Sequence, residues 1–255
     1  MDLGIRGKVA LVTGGSSGIG KAVALALAAE GVSLAVAARR DDELSAVAAE
    51  ALALGATDAR GFKVDLTDSK SVRAMLERVN DAYGGIDILV ANSGGPKPGT
   101  FSQMALADWD TGYHGVLRNM VELVQAVVPA MTARQWGRIV ALTSSSVKQP
   151  IPNLVLSNAF RTALVSALKT LSIELGPNGI TVNSIATGRI LTDRLRALYD
   201  DAEQMDAAAK ADIPLQRVAT PEEFAPMVAF LCGEPARYIT GQTIAIDGGM
   251  IKSLF

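Results

Sequence analysis

The residues best suited to chemistry stand at Thr13-Gly14-Gly15-Ser16-Ser17-Gly18-Ile19-Gly20. Glycines let a chain turn tightly and bring backbone N–H groups close to a bound oxygen. Two hydroxyls, Ser16 and Ser17, fall where phosphate oxygens would lie. The stretch follows an apolar run and opens an alanine- and leucine-rich one. A helix N-terminus there would offer free N–H groups and a partial positive charge to an anion. The chemistry this suits is the binding of a dinucleotide pyrophosphate. Gly15 to Gly20-Lys21 also fits the G-x-x-x-x-G-K pattern of triphosphate-binding loops. That pattern needs Ser or Thr next to hold Mg²⁺, and Ala22 follows. A purely structural turn would leave Ser16 and Ser17 unaccounted for.

The next informative segment is Val36-Ala37-Ala38-Arg39-Arg40. NAD sites place an acid about 20 residues beyond the glycines, on the ribose 2′-hydroxyl. Here a small apolar residue takes that place, with two guanidinium groups beside it. Arginine makes forked contacts with phosphate, which points to NADP(H). The alternative is a solvated face on which Arg39 and Arg40 are answered by Asp41 and Asp42.

Such residues work only if elements hold them, and the chain alternates strand-like and helix-like patterns throughout. Strands are expected at Val9–Thr13, 32–38, 61–64, 86–91, 138–143, 180–185 and Thr243–Ile246. Helices are expected at 21–30, 42–54, Ser69–Tyr83, 106–132, 153–175, 193–210 and 221–231. Gly31, Gly55, Gly84-Gly85 and Gly176-Pro177-Asn178-Gly179 supply helix stops. Continuous apolar strands are those of a parallel sheet covered on both faces. Repeated βα units imply right-handed crossovers and one doubly wound α/β sheet of the Rossmann type. No linker, repeat or low-complexity stretch interrupts it, so residues 1–255 read as a single domain.

With these motifs in place, the sequence resembles the short-chain dehydrogenase/reductase family over essentially its whole length. The turn Thr13-Gly14-x-x-x-Gly18-x-Gly20 matches the family's first signature, and Val64-Asp65-Leu66 the segment whose acid contacts adenine. Ala91-Asn92-Ser93-Gly94 is similar to its N-N-A-G motif. Gly137-Arg138-Ile139-Val140 precedes its catalytic serine, and Asn183 and Gly188 fit its V-N…P-G stretch, with Thr187 replacing Pro. Thr240-Gly241-Gln242 and Asp247-Gly248-Gly249 match its C-terminal signature. The resemblance implies that Gly14, Ser16, Ser17, Gly18, Ile19, Gly20, Arg39, Arg40, Asp65, Leu66, Asn92, Ser93, Gly94, Arg161, Ile190 and Thr192 hold NADP(H). It implies hydride transfer to or from a carbonyl, in the manner of 3-oxoacyl reductases, and no metal.

Family members use Ser, Tyr and Lys, usually with an Asn. Anchoring the match on both sides puts Ser144 at the serine, Ser157 at the tyrosine and Arg161 at the lysine position; Val116 stands at the asparagine position. The Y-x-x-x-K motif thus reads Ser157-Asn158-Ala159-Phe160-Arg161, and no tyrosine lies between Tyr113 and Tyr199 to restore it. An alcohol is far less acidic than a phenol, whose pKa is about 10. Ser157 can bond an oxyanion but is a poor acid. Arg161 keeps the charge and the donors yet, with a pKa ordinarily above about 12, cannot relay a proton. The candidate catalytic set is Ser144, Ser157 and Arg161, within a hydroxyl-rich surround of Thr143, Ser145 and Ser146. Conjugated carbonyls suit such a site, because hydride can add to carbon while the oxyanion is merely stabilised. Tyr113, one helical turn before Val116, and Lys148 are candidate proton donors. His114, two positions from Val116, should point elsewhere, as a surface or interface histidine. The alternative is a catalytically degenerate NADP(H)-binding sensor or non-catalytic subunit.

Composition bounds the partners. A net charge of −2 gives no basic surface for nucleic acid. No apolar run reaches membrane-spanning length, and the charged N-terminal segment 1–8 carries no signal-peptide core. A soluble cytoplasmic protein is expected. The single cysteine, Cys232, excludes an internal disulfide and reads as an inert core thiol. Arg189, Arg194 and Arg196, in the segment 187–205 that resembles the family's substrate lid, allow an acidic substrate or simply a solvated face. Leu154, Val155, Leu156 and Phe160 suit a subunit interface, so a homotetramer or homodimer is expected by analogy.

Overall fold

Residues 1–254 are described by a computed structural model; the last residue of the expected domain, Phe255, lies outside them. Seven strands form one parallel sheet: β1 (Val9–Thr13), β2 (Ser33–Ala38), β3 (Asp58–Lys63), β4 (Ile88–Asn92), β5 (Gly137–Leu142), β6 (Ile180–Thr187) and β7 (Thr243–Ile246). Their order is β3-β2-β1-β4-β5-β6-β7. The order reverses between β1 and β4, creating the switch point at which such sheets bind ligands. The apolar runs fit this placement: every residue of β1 and β5 is buried.

Helices cover both faces. On one, α1 (Gly18–Ala29), α2 (Asp41–Leu54) and α9 (Pro221–Cys232) pack over Val12, Leu34, Val36 and Val90, with Phe224 and Leu27 fully buried. On the other, α3 (Ser69–Tyr83), α5 (Asn119–Arg134) and α6 (Val155–Leu175) cover Leu11, Leu89, Ile139 and Val182. The expected leucine stripe of α6 is real: Leu164, Leu168 and Leu175 are buried and Leu171 partly so. Asp68 caps α3 by accepting from the Lys70 N–H at 2.9 Å, and Gly84 closes it in the left-handed region at φ +71°.

Two expectations at the helical level are corrected. The single helix expected over 106–132 is α4 (Leu106–Gly112), a π-helical turn (Tyr113–Arg118) and then α5. The one expected over 193–210 is α7 (Asp193–Arg196) and α8 (Ala202–Asp212), with Asp201 capping α8 at 2.8 Å. Among the described residues no helix is long and apolar enough to cross a membrane. Cys232 is fully buried, and burial pushes its thiol up to about 12, as an unreactive core residue requires.

Candidate active site

The glycine turn joins β1 to α1 at the switch point. Gly14 and Gly18 adopt φ +60° and +52°, backbone that favours glycine. At Gly20 there is no room for a side chain, since a Cβ would lie 2.0 Å from the Gly14 carbonyl oxygen. Gly20→Ala should therefore force the turn open and cost about 1–3 kcal/mol. Calorimetry should show Tm several degrees lower; an unchanged Tm would contradict the close approach. Ser17 is the extended N-cap of α1, yet its side chain makes no capping bond. The first-turn N–H groups are thus left to an anion. The turn is tied to β4 from below: Thr13 Oγ1 donates to the Asn92 carbonyl at 2.8 Å and accepts from its N–H at 2.9 Å, while Asn92 Nδ2 donates to the Gly14 carbonyl at 3.4 Å. In the loop after β6, Ile190 is buried, and the Thr192 methyl lies 3.0 Å from where a Gly18 Cβ would be. Ser16 and Ile19 are half-buried beside it.

The end of β2 sharpens the reading of the two arginines. Arg40 pairs with Glu43 at 2.6 Å and reaches Ser17 Oγ only at 3.4 Å. Its counter-charge is Glu43, not the Asp41 or Asp42 expected from the sequence; Asp41 pairs with Lys63 at 3.1 Å. Arg39 is exposed and makes no ion pair among the described residues. Asp65 lies close enough to feel the Arg39 charge. Its carboxyl is held below the usual range first by the Thr67 N–H (2.9 Å), then by the Thr67 hydroxyl (2.7 Å), and to a smaller degree by Arg39. Leu66 is half-buried beside it.

At the other end, α6 and the ends of β4 and β5 converge. Arg161 is buried, and its guanidinium donates to the Leu142 carbonyl at 3.1 Å and the Gly94 carbonyl at 3.2 Å. No carboxylate neutralises it among the described residues. Burial, with the nearby Arg194 charge adding to it, pushes its pKa down to about 10. The expected value above 12 is corrected accordingly, although Arg161 remains a cation at neutral pH. One helical turn earlier, the buried Ser157 hydroxyl meets Ser146 Oγ at 3.3 Å. Ser144 is half-buried at the start of a short 3₁₀ turn, where its oxygen accepts from the Ser146 N–H at 3.1 Å. Ser146 is thus the link between Ser144 and Ser157. Sequence reading missed it, although it stands in the hydroxyl run already singled out.

Candidate donors on the helix fare differently. The π-helical turn moves Tyr113 off the expected one-turn spacing from Val116. Tyr113 is exposed, with its ring against Phe160 and His114. His114 is exposed as expected, and Val116 is buried. Asn119, three residues beyond Val116, is buried with neither amide atom partnered by protein. That leaves a group whose burial costs about 1–3 kcal/mol unless a small polar ligand such as water satisfies it. Nothing in its sequence context flagged it. Of the four residues expected at a subunit interface, Leu156 is instead buried within the chain, near Gly112.

Comparison with known proteins agrees with this geometry. The sequence model described as enoyl-(acyl carrier protein) reductase matches residues 14–251. A 3-oxoacyl-acyl-carrier-protein reductase of Aquifex aeolicus is 34% identical over 250 residues, covering 98% of this chain and 100% of that protein. An NADPH-dependent reductase of Bacillus subtilis, BacG, is 31% identical over 256 residues, covering 97% and 99%. The crystal structure of L-sorbose reductase from Gluconobacter frateurii, complexed with NADPH and L-sorbose, superposes with a TM-score of 0.94 at 35% identity over the full length of both chains.

Proposed function

Because the chain belongs to the short-chain dehydrogenase/reductase family, we propose that it is an NADPH-dependent reductase whose active site works without the family's tyrosine and lysine. The observation that carries this is Arg161, a buried guanidinium without a counter-charge, set where α6 meets the ends of β4 and β5. The cofactor fits: the glycine cradle admits backbone approach and α1 starts uncapped, while Arg39 stands free at the end of β2 for a 2′-phosphate. Bound NADPH supplies the hydride.

The protein's own contribution is to stabilise negative charge. Arg161 has five N–H donors, and the Leu142 and Gly94 carbonyls take one each. The others remain for a substrate oxygen. Ser144 orients through Ser146, which also holds the Ser157 hydroxyl. Neither alcohol is a good acid. The set favours conjugated carbonyls: after hydride adds to the β-carbon, the charge would rest on an oxygen that Arg161 and Ser144 would bond, and water can later protonate the enolate carbon. A simple ketone needs its alkoxide protonated directly and gains less.

Following NADPH oxidation with matched enones and saturated ketones tests this. Enones should turn over at least tenfold faster. Tight NADPH binding with no turnover of either class would replace the reductase by a sensor or non-catalytic subunit.

A further inference from the structure

Three arginines follow β6, and the structure separates them. Arg189 is engaged by Asp212 at 2.5 Å and by the Ala208 carbonyl at 2.9 Å. Arg196 pairs with Asp193 at 3.1 Å. Arg194 has no carboxylate partner among the described residues. Its guanidinium lies on Gly95, where a Cβ would stand 1.7 Å from one of its nitrogens. The neighbouring Gly94 carbonyl accepts from Arg161 at 3.2 Å. Two guanidinium groups therefore flank consecutive glycines, close enough for one charge to act on the other. Asp193, next to Arg194 in the chain, is committed to Arg196 at 3.1 Å. Space is present too, because a Cβ on Gly94 would meet nothing within 4 Å.

We infer that this pair is an anion site for the substrate, and that the substrate is a carbonyl compound bearing a carboxylate. Arg161 is a buried charge without a counter-ion, and Arg194, exposed at the surface, sets a second positive charge beside it; an anion between them offsets the cost of the buried one. Guanidinium matches carboxylate in a planar, forked geometry. The rival anion is the cofactor's own diphosphate. Its cradle lies on α1 and the glycine turn, with N–H groups already arranged for it. The inference rests on the reductase reading, and its test is arranged to fail separately.

The probe is benzylidenepyruvate, a conjugated 2-oxo acid, against its methyl ester. The acid should have kcat/KM at least 30-fold above the ester. Arg194→Gln should erase that preference by weakening the acid alone and leave the NADPH Kd within twofold. Arg194→Lys should keep part of it, and Arg196→Gln, whose parent side chain is already paired, should keep all of it. Equal turnover of acid and ester overturns the inference and spares the reductase. So does an Arg194→Gln variant that weakens NADPH as much as the acid, which would give the guanidinium to the diphosphate. Should neither compound turn over, calorimetric titration of both into the NADP⁺-loaded protein decides the anion site alone: at least tenfold tighter binding of the acid upholds it, and equal binding rejects it.

Discussion

Replacing Arg161 by methionine should lower kcat for an enone about 10²–10³-fold, the range typical for loss of one preorganised donor to a developing oxyanion. The fold should survive. The substitution strips charged donors from the Leu142 and Gly94 carbonyls, at about 1.5–3 kcal/mol for each such bond. It also removes a buried cation that no carboxylate neutralises, which offsets part of that loss. Methionine is long and flexible enough to fill most of the space. Arg161→Lys should fall between, with roughly tenfold loss, because it keeps the charge but offers one ammonium where a fork served two carbonyls. A methionine variant within threefold of the parent kcat would remove Arg161 from the mechanism.

The lowered pKa of Arg161 gives the same assignment a pH signature. Its value of about 10 in the folded chain lies below the ordinary 12.5. The cation, and the activity that depends on it, is present below pH 10 and is lost as pH rises through it. The stability effect has the opposite sign. Folding disfavours the charged form, so the penalty is carried in full below about pH 10 and is relieved between the folded and unfolded values. A fall in kcat near pH 10, moved to lower pH in Arg161→Lys because an amine starts from about 10.4 and meets the same burial, is the expected profile.

The glycine turn was legible in the sequence because its form is dictated by backbone. Glycines at 14, 18 and 20 are needed wherever a turn packs as tightly as Gly20 on the Gly14 carbonyl, and such a need leaves a local mark. The same holds for the strands, whose apolar runs reflect burial on both faces. The edge strand β3 was caught only in part, because its residues follow no two-residue alternation: Ala59 and Phe62 are buried, while Arg60 and Lys63 are exposed on the sheet edge. What stayed hidden depended on pairing across the fold. Sequence order alone cannot show that Arg189 finds Asp212, 23 residues on, or that Asp193 serves Arg196 three residues away rather than its neighbour Arg194. Nor does the run of residues 106–132 announce that its backbone slips into a π-helical turn at Tyr113–Arg118. That one slip turned a candidate proton donor, Tyr113, toward Phe160 and His114. Turns of this kind gather at functional sites, and this one carries Val116.

Arg39→Ala should raise the NADPH Kd about 10–100-fold and change the NADH Kd by less than threefold, as expected for loss of a charge-assisted phosphate contact. Arg40→Ala should do much less to either, because Glu43 already holds that guanidinium at 2.6 Å. The sequence treats the two arginines alike; their partners do not. Ala38 is the lever for the reverse change. It ends β2, and its carbonyl is fixed by the Val64 N–H at 2.8 Å, so a new side chain should leave the backbone in place. Ala38→Asp would put a carboxylate where NAD sites accept the ribose 2′-hydroxyl and would repel a 2′-phosphate. Combined with Arg39→Ala, it should invert the preference to NADH in fluorescence titrations. Equal losses for NADPH and NADH in Arg39→Ala would mean that the arginine supports the site as a whole, and the 2′-phosphate would then have to be read by groups other than the one the end of β2 leaves free.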